Sequence, residues 1–202
     1  MSLDAILARI DADLNPALER LFDLLAIPSI STDPAHTPDV RRAAEWLRDD
    51  LASMGFDAAL HDTPGHPMVV GQYDGPGPHL LFYGHYDVQP VDPLALWDHP
   101  PFAPMLEDTP KGRVIRARGA ADDKGQLMTF LEACRAIVAE SGRLPCKVTV
   151  FVEGEEESGS PSLVPYLKER GQALKADLAL ICDTGMFSDD VPAITTQLRG
   201  ML

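Results

Sequence analysis

Leu3, Ile6, Leu7, Ile10, Leu14, Leu18, Leu21, Phe22 and Leu25 recur at intervals of three and four, the spacing of one helical face. An amphipathic helix therefore opens the chain, with Asn15-Pro16 placed to kink or restart it. A polar, proline-containing loop runs from Ile27-Pro28-Ser29-Ile30-Ser31 to Pro38. A second helix begins near Pro38, with Val40, Ala43, Ala44, Leu47, Leu51 and Met54 on one face and Gly55 as its stop. Residues 56–60 and 68–73 read as short strands, followed by the turn Asp74-Gly75-Pro76-Gly77-Pro78. An apolar strand starting at His79 runs out into His85-Tyr86-Asp87-Val88-Gln89-Pro90. Residues 88–111 are rich in proline and carry Trp97, His99, Phe102 and Met105 without a period, which predicts a long ordered surface loop, with His99 structural or on a rim. A strand over 114–117 leads into Arg118-Gly119-Ala120-Ala121-Asp122-Asp123-Lys124-Gly125 and a helix burying Leu127, Phe130, Leu131, Cys134, Ile137 and Val138. The run 146–152 is a fully buried type of strand, residues 162–174 are helical, and 178–182 is a strand ending at Asp183.

Strands alternating with helical patterns predict an α/β fold: a largely parallel, mixed sheet with helices on both faces. In such sheets ligands bind beyond the carboxyl ends of the strands. The strands entering His85, Asp122, Glu156-Glu157 and Asp183 each deliver acidic or imidazole groups there. If they are parallel neighbours, all of these groups converge on one edge.

Composition narrows the chemistry. The 202 residues are 45% hydrophobic, enough for a substantial core. Lys plus Arg number 17 against 31 Asp plus Glu, a net charge of −14 that disfavours a nucleic-acid partner and favours cations. Cys134, Cys146 and Cys182 are odd in number and lack Cys-x-x-Cys spacing, so they read as buried reduced thiols of a cytoplasmic protein. The acidic and basic residues Asp4, Arg9, Asp11 and Asp13 interrupt any signal-peptide core, and no stretch approaches the ~20 apolar residues of a membrane span.

His85 and Asp87 lie two apart, so on a regular strand they share a face. The carboxylate can then orient the ring while the other nitrogen faces outward, as for a metal-bound histidine. The alternative is a turn holding a satisfied histidine. Glu155-Glu156-Glu157 is either a solvated acidic loop, the usual reading of a lone charge run, or a ligand cluster, and its place after a wholly apolar strand weakens the first. Asp122-Asp123 can cap the following helix, with or without ligation. Packed carboxylates repel unless a cation joins them. One imidazole with several carboxylates suits zinc, with manganese or cobalt as alternatives, and the excess of acids suits two metals sharing a carboxylate bridge.

His85-Tyr86-Asp87-Val88-Gln89-Pro90, Arg118 to Gly125, Glu153-Gly154-Glu155-Glu156-Glu157-Ser158-Gly159-Ser160 and Cys182-Asp183 together resemble the ordered motifs of the co-catalytic zinc metallopeptidases. That family holds carnosinase-type cytosolic dipeptidases, aminoacylase, succinyl-diaminopimelate desuccinylase and glutamate carboxypeptidase, and the loop 27–31 resembles its N-terminal region. The resemblance implies peptide-bond hydrolysis at two zinc ions. His85 would hold the first zinc with Asp87 as its orienting partner; Asp122 would bridge; Glu157 would bind the second; Asp183 would complete the first. Glu156 would be the general base that takes a proton from the attacking water and passes it to the leaving amine. A cis peptide between Asp122 and Asp123 is implied as well. Aspartate at position 183 and the Glu-Glu-Ser-Gly-Ser stretch resemble the dipeptidase branch, with an N-acyl-amino-acid deacylase or carboxypeptidase as the alternative.

The resemblance also implies a second-zinc histidine far along the catalytic domain and a lid domain that dimerises the protein. Residues 1–190 resemble the N-terminal part of the catalytic domain and 191–202 the first strand of the lid. The expectation is a truncated chain that binds one metal well and a second weakly, and hydrolyses peptides poorly or not at all. A non-catalytic metal-binding remnant is the reading from another class.

Overall fold

A computed structural model describes residues 2–110, 112–188 and 190–195. The opening periodicity forms two helices, α1 (Leu3–Ala12) and α2 (Leu14–Leu25), broken at Asp13. Pro16 falls in the first turn of α2, where backbone N–H groups lack an intrahelical partner in any case. The predicted second helix is α3 (Thr37–Ser53), and Gly55 beyond it adopts φ +91°.

The strands β1 (Asp57–His61), β2 (Met68–Tyr73) and β3 (His79–His85) follow. Later come α4 (Lys124–Ser141), β6 (Lys147–Glu153), α5 (Leu163–Arg170) and β7 (Leu178–Ile181). These five strands form one mixed sheet in the order β1-β2-β6-β3-β7. β3 runs parallel to β6 and β7, while β2 is antiparallel to β1 and β6. Helices cover both faces, as expected. Val148, Val150 and Val152 of β6 join Val69 and Phe82 against α2, α3 and α4. Phe151, Met68 and Val70 face the other way and are covered by Tyr166 of α5 and by Leu174. Burial on both faces is why β2 and β6 read as unbroken apolar runs.

The strand predicted to enter Asp122 is not in this sheet. β4 (Met105–Thr109) and β5 (Gly112–Arg116) form a separate antiparallel hairpin, with Glu107 and Arg116 paired across it. β5 carries arginines at 113 and 116 and none of its described residues is fully buried, so it has no sheet face to cover. β4 occupies part of the region read as an irregular loop. Its sequence, Met-Leu-Glu-Asp-Thr, lacks alternation because pairing with β5, rather than a core, holds it. His99 Nε2 lies 3.1 Å from the Arg116 backbone oxygen and so ties loop to hairpin, a structural role as expected.

Register sets the height of the site. His85 pairs with Glu153, and Tyr83 pairs with Ile181, which brings Asp183 level with His85 two residues on. β7 forms the sheet edge and its side chains are exposed, with Leu178 62% and Ile181 56% accessible. All three cysteines are free, but only Cys134 is fully buried. Among the described residues no helix is long and apolar enough to cross a membrane. Of the stretch 191–202, compared above with a lid strand, residues 196–202 lie outside the described residues, and 192–195 carry no regular structure.

Candidate metal centre

His85, at the last position of β3, is fully buried and forms the floor of the site. Its Nδ1 faces the Asp87 backbone oxygen at 3.1 Å and the Asp87 carboxylate at 3.3 Å. Nε2 points the other way, 3.0 Å from Asp122 Oδ1 and 3.8 Å from Asp183 Oδ2. One ligand atom from each of His85, Glu156 and Asp183 lies within 4.8 Å of the other two. Glu157 stands beside this group and accepts the Gln89 side-chain amide at 2.7 Å. The structure thus brings together His85, Asp87, Asp122, Glu156 and Asp183, with Glu157 at the margin held by Gln89.

Different elements deliver these groups. β6 ends at Glu153, and a single helical turn, Glu156–Ser158, lifts the two glutamates to the level of His85. Asp122 comes from the turn before α4, where the Asp122-Asp123 peptide is cis. Asp183 follows β7.

Asp87 contacts more than the His85 ring. Its fully buried carboxylate accepts the backbone N–H of Glu156 at 3.2 Å and of Glu157 at 3.1 Å.

The electrostatics ask for a cation. Burial opposes charge on the His85 ring, but the Asp87 carboxylate, with Asp123 and Glu156 behind it, outweighs this and pushes the imidazole up to about 10. Burial, then neighbouring acids, raises the carboxyls of Glu156 and Glu157 above their ordinary range. Asp123, buried beneath the site, is pushed up to about 7 by burial, opposed by the His85 N–H and ring and aided by Asp183 and Asp122. One nitrogen and several oxygens around a common point, most of them costly to ionise alone, is a donor set that fits a divalent metal of the zinc type.

Four further residues support this site structurally, and for Asp123 the support is not the helix capping expected from the sequence. Asp123 occupies the N-cap position of α4 yet makes no capping bond; its Oδ2 accepts the His85 backbone N–H at 3.1 Å instead. Glu155 is buried and clamps two segments, accepting the N–H of His66 and of Ser162, each at 2.9 Å. Gly65 must lack a side chain there, since a Cβ would lie 1.5 Å from Glu155 Oε1. Glu153, also buried, accepts the hydroxyls of Tyr83 at 2.5 Å and Ser160 at 2.9 Å, closing the turn that carries Glu156. For two of them the available sign was position: Asp123 and Glu155 are acids directly beside a candidate ligand or base, whereas Glu153 lies three positions before Glu156. Gln89, the fourth, is exposed and polar and gave no such sign.

Residues 81–195, more than half of the chain and all of the candidate site, match Peptidase family M20/M25/M40. The chain belongs to this family. Over its whole length it is 32% identical to the Cys-Gly metallodipeptidase dug1 of Schizosaccharomyces pombe and spans 44% of that relative. The M20 family metallo-carboxypeptidase Sso-CP2 of Sulfolobus solfataricus superposes with a TM-score of 0.75 at 35% identity, over 84% of this chain and 38% of that one. Human carnosine dipeptidase 1 superposes with a TM-score of 0.82 at 25% identity, over 90% of this chain and 41% of that one. The mixed sheet with helices on both faces is thus the fold of this peptidase family, and the chain spans less than half the length of these relatives.

Proposed function

We propose that this chain forms the metal- and base-bearing part of a dipeptidase. The carrying observation is the convergence of Glu156 with His85 and Asp183 within 4.8 Å. His85, Asp122 and Asp183 would hold one zinc; Asp122 and Glu157 would offer two carboxylates to a second. Bound metal supplies polarisation of the scissile carbonyl and a lower pKa for the attacking water. Asp87 holds the His85 ring with its outer nitrogen turned to the site, and through two backbone N–H groups holds the Glu156 turn at the same height. Glu156, half-buried and raised above the ordinary carboxyl range, is suited to take a proton from water and return it to the leaving amine. Asp122 and Asp183 lie more exposed than His85, so a substrate reaches the cluster from the solvent side.

Dipeptides are the favoured substrates because a dipeptidase relative matches the full chain. The likeness to a carboxypeptidase keeps longer peptides cut at their C-terminus as the second reading. Free thiols in all three cysteines agree with a cytoplasmic setting. A homodimer of the whole protein remains part of the proposal. The test is hydrolysis of Cys-Gly, an N-acyl-amino acid and a blocked peptide by the zinc-loaded chain. Slow cleavage of Cys-Gly is expected, because the second metal would rest on two carboxylates. Glu156→Gln should lower it by about 10²–10⁴-fold, the usual worth of a general base. An unchanged rate in that variant, or preferred cleavage of the N-acyl-amino acid, would contradict the proposal.

A further inference from the structure

The turn that carries Asp122 is held down by a buried lysine. Lys124, the first residue of α4, is fully inaccessible, and its Nζ donates to the backbone oxygens of Leu24 at 3.0 Å and Ile27 at 2.7 Å. Leu24 lies in the last turn of α2 and Ile27 just beyond it, at the negative pole of the helix; each oxygen also accepts a backbone N–H, from Ile27 at 3.2 Å and from Ser29 at 2.9 Å, so the lysine fills their second acceptor positions. The lysine stem passes beneath Gly119, where an added Cβ would lie 3.3 Å from Cδ. The turn closes on itself through the Gly125 N–H to Gly119 oxygen bond at 3.2 Å. It has no slack at Gly125, whose Cβ would lie 1.9 Å from the Ala120 backbone oxygen.

The same segment holds the other arm of the site. Ser29 Oγ donates to the Tyr86 backbone oxygen at 2.6 Å in a buried contact, and Val88 N–H donates to the Ser29 oxygen at 3.0 Å. Ile30 bridges Val88 as an isolated β-pair. Residues 24–30 therefore brace the strand end that bears His85 and Asp87 and, through Lys124, the turn that bears Asp122.

We propose that Lys124 is a positioning residue: by gripping Leu24 and Ile27 it locks the Asp122 turn to the loop bracing His85 and Asp87, and so sets the spacing of the metal-binding groups. The inference rests on the metal centre proposed above. Lys124 touches neither substrate nor metal, and acts through the segment it holds.

The test measures zinc affinity by calorimetric titration, and thermal unfolding without zinc, for the chain, Lys124→Met, Ser29→Ala and the double variant. Methionine keeps the buried stem and removes the donors. Each single change should weaken zinc binding by about 10–100-fold, the range for groups that orient ligands. The double variant should lose less than the product of the two, because both act through one segment. Altered unfolding with unaltered zinc affinity would mean a merely structural lysine and would overturn the proposal, as would a double variant equal to the product. Should Lys124→Met fail to fold, Lys124→Gln replaces it: its amide arm is one atom shorter and cannot reach both oxygens, and unchanged zinc affinity there overturns the proposal. Absence of zinc binding by the unaltered chain is a separate result, which contradicts the metal centre itself and this inference with it.

Discussion

Asp87 Oδ1 accepts the backbone N–H of Glu156 at 3.2 Å across 69 positions of sequence. The second oxygen takes the Glu157 N–H, and the same carboxylate faces the His85 ring, so one buried group contacts both the proposed ligand and the turn of the proposed base. Asp87→Asn keeps the shape but turns an NH₂ toward one of these donors. Zinc affinity should fall by about 10–100-fold. Equal dissociation constants for the two proteins would show that Asp87 orients nothing.

Gly154 separates Glu153 from the glutamate turn and lies against Tyr86, where a Cβ would meet the ring within 2.4 Å. Tyr86 cannot yield easily: it is fully buried and its hydroxyl donates to the Pro67 oxygen at 2.6 Å. Gly154→Ala should destabilise the chain by about 1–3 kcal/mol, the usual cost of overpacking. Urea unfolding checks this, and a midpoint unchanged from the parent would mean the turn has room the structure does not show.

The parts of the site that follow buried strands were legible in the sequence. His85 and Glu156-Glu157 each follow an apolar run; β6 is buried on both faces and β3 is partly buried, becoming fully buried towards His85. Asp122 lies beside His85, but not by the route expected: the strand before it belongs to the β4–β5 hairpin and a turn delivers it. The supports were illegible because their partners are main-chain atoms far away in sequence. Lys124 reaches oxygens 100 and 97 positions distant, and Glu155 clamps the His66 N–H 89 positions distant. A lysine in sequence reads as exposed, and only the fold shows it buried.

His61 offers a pH dependence. Burial, with Arg170 nearby, lowers its pKa below the ordinary 6.5, and its Nδ1 lies 2.5 Å from the Tyr166 hydroxyl. A neutral ring can accept that hydroxyl proton at Nδ1 and a protonated ring cannot. Because the unfolded chain binds a proton here more readily than the folded one, stability rises with pH through this window. The His61 contribution is intact above 6.5 and is lost as pH falls from 6.5 through the lower folded value. His61→Gln should therefore flatten the stability curve between about pH 5 and 7. Denaturant unfolding at a series of pH values checks it, and parallel curves for the two proteins would rule it out.

The central claim is that the strand-end cluster around His85 binds metal, and zinc titration of the chain and of His85→Ala, by calorimetry with elemental analysis, tests it most directly. The account predicts one tightly bound zinc per chain, a second held far more weakly, and loss of the tight one in His85→Ala. Tight zinc binding that survives the substitution, or no tight zinc on the unaltered chain, would contradict it.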